Sequence, residues 1–449
     1  MSKATHFLAG MLLPLNDPHA SVSVGVRYWQ LVRSQWYTAR QLDALQDKKL
    51  ERLFRQIRSE VPYCEGFPSW RYQDGVDVRA RLAALPILSK ERVRANSPAL
   101  RRAGKLPMFC RRSRTGGTTG TPVEVWSDRK LRAMITAAYW RGKSWLDIRP
   151  WTRGAIVGSF DRGSWYGRIR FRMTNKKSFD VFGKNMPQKL AVARQLRRFA
   201  PCYLENFVSS ILELGPLCQA EGVRVDKILT TGEMLYPHQR QMLEELYGAK
   251  VADYYGCNEV CSLAYECEAG RKHVTDEHVI IEVVDDAGQP IWDQPGRILL
   301  TDLDNTLTPF VRYEVGDLGV LTREPCPCGR KLTVLRSIEG RTQDALVNAS
   351  GDRLSTVFIS GRFKGMKALN CIQLVQRSLQ EVDLLHEGAP GEGEAELQEI
   401  IAEIQSRLGM DMVVIPRRVD QVTYTQRGKR RLIIGLNSGA SGAPQDAIS

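Results

Sequence analysis

Between residues 25 and 60 the chain repeats apolar positions at helical spacing. In LDALQDKKLERLFRQI, Leu42, Leu45, Leu50, Leu53 and Ile57 fall on one side of a 3.6-residue turn, which predicts a helix packed along that face. Farther on the period changes. RGAIVGSF and DKILTTGEM are short β-branched runs ending in small or polar residues and read as strands, whereas HQRQMLEELYG reads as a helix stopped by Gly248. This alternation predicts an α/β domain whose loops at the strand ends carry the chemistry.

The texture changes after SIEGRTQD. IQLVQRSLQEVDLLHEG reads as two strands. EAELQEIIAEIQSRLG reads as an amphipathic helix with Leu397, Ile400, Ile401, Ile404 and Leu408 inward, and MVVIPRRVDQV as a further strand. The expected division is a large α/β domain over 1–339, a small α+β domain over 340–436, and a tail over 437–449 too small and polar to bury anything. No internal repeat is present.

Composition narrows the class. At 449 residues the chain exceeds one ordinary core, and its 43% hydrophobic and 25% charged residues are those of a folded, water-facing protein. No apolar run approaches the roughly 20 residues of a membrane span. The N-terminal FLAGMLLPL is short, broken by Pro14 and followed by no convincing cleavage site, which argues against a signal peptide. The net charge of +14 admits nucleic acid, an anionic membrane surface or a polyanionic substrate. No groove-reading motif accompanies the basic residues, so nucleic acid is disfavoured, while peripheral membrane contact and oligomeric state stay open. Ten cysteines form no dense disulfide pattern, which points to a reducing compartment, the cytoplasm.

RRSRTGGTTGTPVEVWSD, residues 111–128, is the first chemical motif. Glycine lets backbone N–H groups approach phosphate oxygens, and threonine adds donors without charge. The loop lacks the GKS or GKT ending of a P-loop. Downstream follow TTGEML (230–235), ADYYGCNE (252–259), TPFVRYEVGD (308–317), IEGRTQD (338–344) and QRGKRR (426–431). In this order the six motifs resemble those of the adenylate-forming superfamily of acyl-CoA synthetases. Within it they are most similar to the phenylacetate:CoA ligase branch, including its capsular-polysaccharide-associated (CapK-like) and coenzyme F390 synthetase-like members. The flanks IRSEVPYCEGF, LPILSKERVRAN and DEHVIIEVVDDAGQPI resemble that branch too.

The resemblance implies a large N-terminal domain binding ATP and the acid, and a small C-terminal domain that rotates about a hinge at Asp344. Thr115, Gly116, Gly117, Thr118, Thr119, Gly120 and Thr121 would wrap the ATP phosphates. Gly232, Glu233, Asp253 and Tyr255 would form the adenine slot, and Asp317 would accept from the ribose hydroxyls. Glu259 would hold Mg²⁺ through a hard carboxylate oxygen. Arg312 would contact phosphate or make a structural salt bridge, and Arg341 would reach the nucleotide. Lys429 would neutralise charge on the α-phosphate during attack. Thr121 stands where many members carry lysine, and Asn258 where threonine or serine is usual. The lysine spacing near the C-terminus is also shorter than in the phenylacetate enzymes.

Cys267, His273, Cys326 and Cys328 offer three thiolates and an imidazole, a closed set for a structural Zn²⁺, with Cys261 as an alternative ligand. Cys257 lacks a local base and reads as pocket lining. The implied activity joins a small carboxylic acid to AMP from ATP, then passes the acyl group to coenzyme A. The acid pocket is expected between CYLENFVSS and the segments around Tyr255 and Ser262. Transfer to an amine or hydroxyl acceptor is the alternative, and a non-catalytic nucleotide-binding protein a remoter one.

Overall fold

The stretch read as helical from 25 to 60 is two helices, Ser23–Ser34 and Ala39–Glu60. Thr38 starts the second: its hydroxyl accepts from the Gln41 N–H while the Gln41 side chain accepts from the Thr38 N–H. Leu42, Leu50, Leu53 and Ile57 are buried as expected, but Leu45 is only half-buried. Gln46 takes its place, donating to the Asp276 carbonyl at 2.9 Å, so a long polar side chain can occupy this face once a backbone acceptor meets it.

The computed structural model describes residues 3–16, 23–65, 76–114, 123–158, 174–181, 184–341, 345–350, 352–355, 371–387, 393–420, 422–423 and 432–436. An antiparallel pair, β1 (Arg111–Arg114) and β2 (Glu124–Ser127), precedes the main sheet. That sheet is built from β3 (Gly154–Val157), β4 (Lys176–Phe179), β5 (Tyr203–Asn206), β6 (Lys227–Thr231), β7 (Lys250–Tyr255), β8 (Ala264–Glu266), β9 (Lys272–Val274), β10 (Val279–Val284), β11 (Gly296–Asp302), β12 (Tyr313–Thr322) and β13 (Val334–Arg341). Its order is β10-β11-β12-β13-β9-β8-β7-β6-β5-β3-β4.

The two ends of this sheet differ. From β7 to β4 all neighbours are parallel, and from β7 to β10 all are antiparallel. Helices Met186–Phe199, Val208–Ala220 and Pro237–Tyr247 cover one face of the parallel part, where Leu196, Ile211, Ile228, Leu243 and Val251 are buried. Each such side chain contributes about 1.5–3 kcal/mol. Helices Lys3–Asn16, Ser23–Ser34 and Arg129–Trp145 cover the other face against Tyr203, Leu229 and Ala252. Burial on both sides explains why β5 has no exposed position. Gly248, with φ +66°, ends the helix Pro237–Tyr247 as its sequence predicts.

The antiparallel part curls back on its own core. Tyr255, Leu263, Val274, Tyr313, Val315 and Leu335 share one buried cluster, although β12 stands four places from β7 in the sheet. Beyond β13 lie the ribbon β14 (Ala345–Val347) and β15 (Arg353–Ser355), then a separate sheet of β16 (Cys371–Gln376), β17 (Glu381–Glu387), β18 (Val413–Arg418) and β19 (Ile433–Ile434) in the order β18-β17-β16-β19. The helix Glu394–Leu408 packs Leu397, Ile400, Ile404 and Leu408 on this sheet, with Ile401 half-buried. The expected two strands, helix and strand are therefore present. The tail 437–449 lies outside the described residues.

Candidate active site

The carboxyl ends of the parallel strands carry the motifs. β6 runs out into Gly232, whose φ of +75° suits a residue without a Cβ and turns the chain sharply. β7 places Asp253 and Tyr255 on one face by its two-residue period and then releases the turn of Gly256 to Glu259. The Tyr255 hydroxyl donates to Asp317 Oδ2 at 2.6 Å. Both residues are buried to 8% exposure, so two motifs 62 residues apart meet where water is scarce.

Glu259 is half-buried beside Tyr313 of β12. Burial raises the Tyr313 phenol well above its ordinary range, and the nearby Glu259 charge and hydrogen bond raise it further. Glu259, Cys257 and Asp317 therefore face a common space: burial is the main reason the Cys257 thiol is pushed up, and the charges of Glu259 and Asp317 add to it. The Cys257 sulfur also exchanges hydrogen bonds with the Val260 backbone at 3.2 and 3.3 Å, which closes the turn. Cys257 lines the site as a neutral thiol.

Three residues expected at the nucleotide are committed to the framework. Arg312 makes the structural salt bridge, which corrects its assignment to the phosphate: its Nη1 donates to the carbonyls of Ala83 and Leu85, each at 2.8 Å, its Nη2 to Gly288 at 3.3 Å, and its Nε lies 3.3 Å from Glu282. A guanidinium so occupied, at 5% exposure, locks the 83–88 segment onto the sheet and holds no phosphate. Asp253 accepts from Thr230 Oγ1 at 2.7 Å and pairs with Lys272 Nζ at 3.2 Å, a bond across β6, β7 and β9. Glu233 accepts from the N–H and hydroxyl of Ser209 at 2.8 and 2.9 Å, holding the start of the helix Val208–Ala220.

Thr115, Gly116, Gly117, Thr118, Thr119, Gly120 and Thr121, together with Asp344 and Lys429, lie outside the described residues. Arg341 is described only as backbone, paired with Asp317 across β12 and β13.

On the opposite face of the parallel strands, helix Arg129–Trp145 delivers residues that no local pattern marked. Lys143 Nζ reaches Glu205 Oε2 at 2.6 Å and the Tyr203 hydroxyl at 3.2 Å, and the Tyr139 hydroxyl donates to Glu205 Oε1. Burial would raise Glu205, but the charges of Lys143 and Lys176 hold it below the usual carboxylate range. Tyr254 stacks on Tyr265 with centroids 5.4 Å apart, and Tyr139 meets Tyr254 edge-on. Ser262, at φ +61°, donates to Ile135 O and accepts from the Tyr265 hydroxyl. The segments expected around the acid thus adjoin an aromatic wall with an ion pair behind it.

Cys267, His273, Cys326 and Cys328 come together as a second cluster, their ligating atoms all within 4.8 Å of one another. The sulfurs of Cys267 and Cys326 are 3.7 Å apart, and His273 Nε2 is 3.2 Å from the Cys328 sulfur. Tetrahedral Zn–S and Zn–N bonds would set such edges at about 3.5–3.8 Å, so the set fits zinc. His273 Nδ1 lies 3.2 Å from the Leu332 carbonyl, which leaves Nε2 for a metal. Burial lowers His273 to about 4, keeping it neutral at pH 7. Cys261 is not in this cluster.

The fold and the meeting of these motifs at the strand ends define an adenylate-forming ligase architecture. Residues 346–435 match the CapK C-terminal domain family. The chain is 26% identical over 331 residues to phenylacetate-coenzyme A ligase of Thermus thermophilus, covering 68% of this chain and 72% of the relative. It superposes on 2-hydroxyisobutyryl-CoA ligase, crystallised in the postadenylation state with an acyl-AMP, at a TM-score of 0.69 and 19% identity over 89% of this chain and 91% of that one. The same ligase with acyl-AMP and coenzyme A in its thioesterification state gives a TM-score of 0.59 at 20% identity, with the same coverage of 89% and 91%. The chain thus has the adenylate-forming ligase fold, and its C-terminal segment matches the CapK C-terminal domain family.

Proposed function

We propose that this protein activates a small carboxylic acid with ATP and transfers the acyl group to coenzyme A. The observation that carries this reading is the contact between Tyr255 and Asp317, with Glu259 alongside, at the carboxyl ends of the parallel strands. There a tyrosine ring supplies a stacking face for a base, and Asp317 a carboxylate for ribose hydroxyls. Glu259 would hold Mg²⁺, which neutralises phosphate charge when bound. A carboxylate oxygen attacks the α-phosphorus, the bond to the bridging oxygen breaks, and pyrophosphate leaves. The thiolate of coenzyme A then attacks the acyl carbon and expels AMP.

The glycine–threonine loop would grip the outer phosphates, Arg341 would reach the nucleotide, and Lys429 would meet the α-phosphate once the domain following Asp344 closes. Cys267, His273, Cys326 and Cys328 would hold a structural zinc that pins the β8–β9 hairpin to the loop before β13. No described helix is long and apolar enough to cross a membrane, and none of the eight described cysteines is in a disulfide, which supports a cytoplasmic enzyme.

The test is acid-dependent pyrophosphate release from ATP and Mg²⁺ over aryl, fatty and amino acids, with and without coenzyme A. Release with one acid class, followed by a thioester only when coenzyme A is present, is expected. Product with an amine or hydroxyl acceptor instead would keep adenylation and replace the second step. ATP binding without release for any acid would remove the enzymatic reading. Lys429→Ala should abolish pyrophosphate release while sparing turnover of supplied acyl-AMP.

A further inference from the structure

FLAGMLLPL, unused by the chemistry above, lies in the helix Lys3–Asn16. Its inner side is fully accounted for. Ala9 and Leu13 are buried, His6 Nδ1 is 2.8 Å from the Tyr28 hydroxyl, and a Cβ on Gly25 would come within 2.3 Å of the Gly10 carbonyl oxygen. That close approach fixes this helix against Ser23–Ser34. Its outer side is unusual: every exposed residue described on it, Ala4, Phe7, Leu8 and Met11, is apolar. Phe7 and Met11 are each 58% exposed and Leu8 is 49%. The Phe7 ring stacks on Trp29 at 5.4 Å and 6°, and along the same stripe of the second helix stand Val26, 44% exposed, and the exposed Arg33.

We propose that this face docks on an anionic lipid bilayer, with Phe7, Leu8 and Met11 at the acyl boundary and Arg33 and the exposed Arg40 at headgroup phosphates. Charge selects this occupant. Residues 1–42 hold four Lys or Arg against one acidic residue, Asp17, within a chain of net charge +14. A second copy of the chain fits poorly: it would bring like charges together, and the exposed parts of three such side chains come to about 300 Å², well under the ~800 Å² per partner of a stable dimer. A soluble acidic protein could meet the arginines but has no need of three adjacent apolar side chains.

The measurement is flotation of the full-length protein with phosphatidylcholine vesicles, with and without phosphatidylglycerol, at low and high salt. Binding is expected only to the anionic vesicles and should weaken as salt rises. The triple variant Phe7→Ser, Leu8→Ser, Met11→Ser should lose at least about tenfold in binding, since each exposed side chain loses partial apolar burial. Arg33→Gln and Arg40→Gln, which leave the helix packing alone, should each cost about fivefold. Thermal melting of every variant checks that it is folded. Absence of binding by the folded wild type, or equal binding to neutral and anionic vesicles, overturns the proposal. So does undiminished binding by the arginine variants, or a concentration-dependent dimer that the triple variant abolishes.

Discussion

Two clusters of polar side chains on the main sheet and its loops are built in opposite ways. Cys267, His273, Cys326 and Cys328 point at one another, so four donors converge on a single point. Tyr255, Asp317, Glu259 and Tyr313 instead line a shared space, with the Tyr255 hydroxyl bonded to Asp317 at 2.6 Å and the Tyr313 phenol to Glu259. A closed shell can stabilise a loop but has no position left for a reactant, whereas carboxylates facing a gap can take up a ligand's cation and hydroxyls. Converging donors suit a structural ion and donors that face a gap suit a reactant, so the contrast between the two clusters is geometric as well as chemical.

Substitutions can break this contrast. The largest effect is expected for Glu259→Gln, which removes the charge offered to the phosphate-bound cation: acid-dependent pyrophosphate release should fall by about 10²–10³ with the melting midpoint unchanged. An unaltered rate would take Glu259 out of the reaction. Cys326→Ser should do the reverse, lowering bound zinc measured by atomic absorption and costing about 3 kcal/mol of stability, with activity at low temperature retained. If purified wild-type protein contains no zinc and chelators leave its melting unchanged, the closed cluster is a set of buried thiols.

Acid sharpens the comparison by testing a half-buried carboxylate that belongs to neither cluster. Burial alone would raise Asp304, but Lys49 at 2.7 Å and His278 at 3.0 Å bring it down to about 2. Its folded value lies below the unfolded one, so the stabilisation is fully present above about pH 4 and disappears as pH falls through about 2. Asp304→Asn should therefore cost about 2 kcal/mol at pH 7 and little at pH 2. A variant whose deficit in urea unfolding does not shrink on acidification would contradict that account. The smallest effect is expected for Tyr255→Phe, which deletes one hydrogen bond to Asp317: the KM for ATP should rise by about fivefold, near 1 kcal/mol, with kcat little changed.

Much of the fold was legible along the chain because its signals are local. The period of Leu397, Ile400, Ile404 and Leu408, the stop at Gly248 and the short β-branched runs each report on residues a few positions away. The break at Thr38 was missed because its capping bonds with Gln41 compete with a continuous apolar pattern. The candidate site was legible as an ordered set of motifs, but the use of each side chain was not. Tyr313 sits inside TPFVRYEVGD, yet nothing beside it in sequence indicates that it faces Glu259. Lys143 and Glu205, 62 residues apart, carry no local signature of pairing.

By itself, the sequence determined the types of most elements, the separate C-terminal sheet, the order of the motifs and the four zinc-ligand candidates, since periodicity and donor chemistry are properties of short stretches. Only the tertiary structure decided which charges remain for a ligand. Arg312 went to Glu282 and three carbonyls, Asp253 to Thr230 and Lys272, and Glu233 to Ser209, while Tyr255 met Asp317. A buried charge must be satisfied by whatever the fold brings within about 3 Å, and those partners come from other strands and helices.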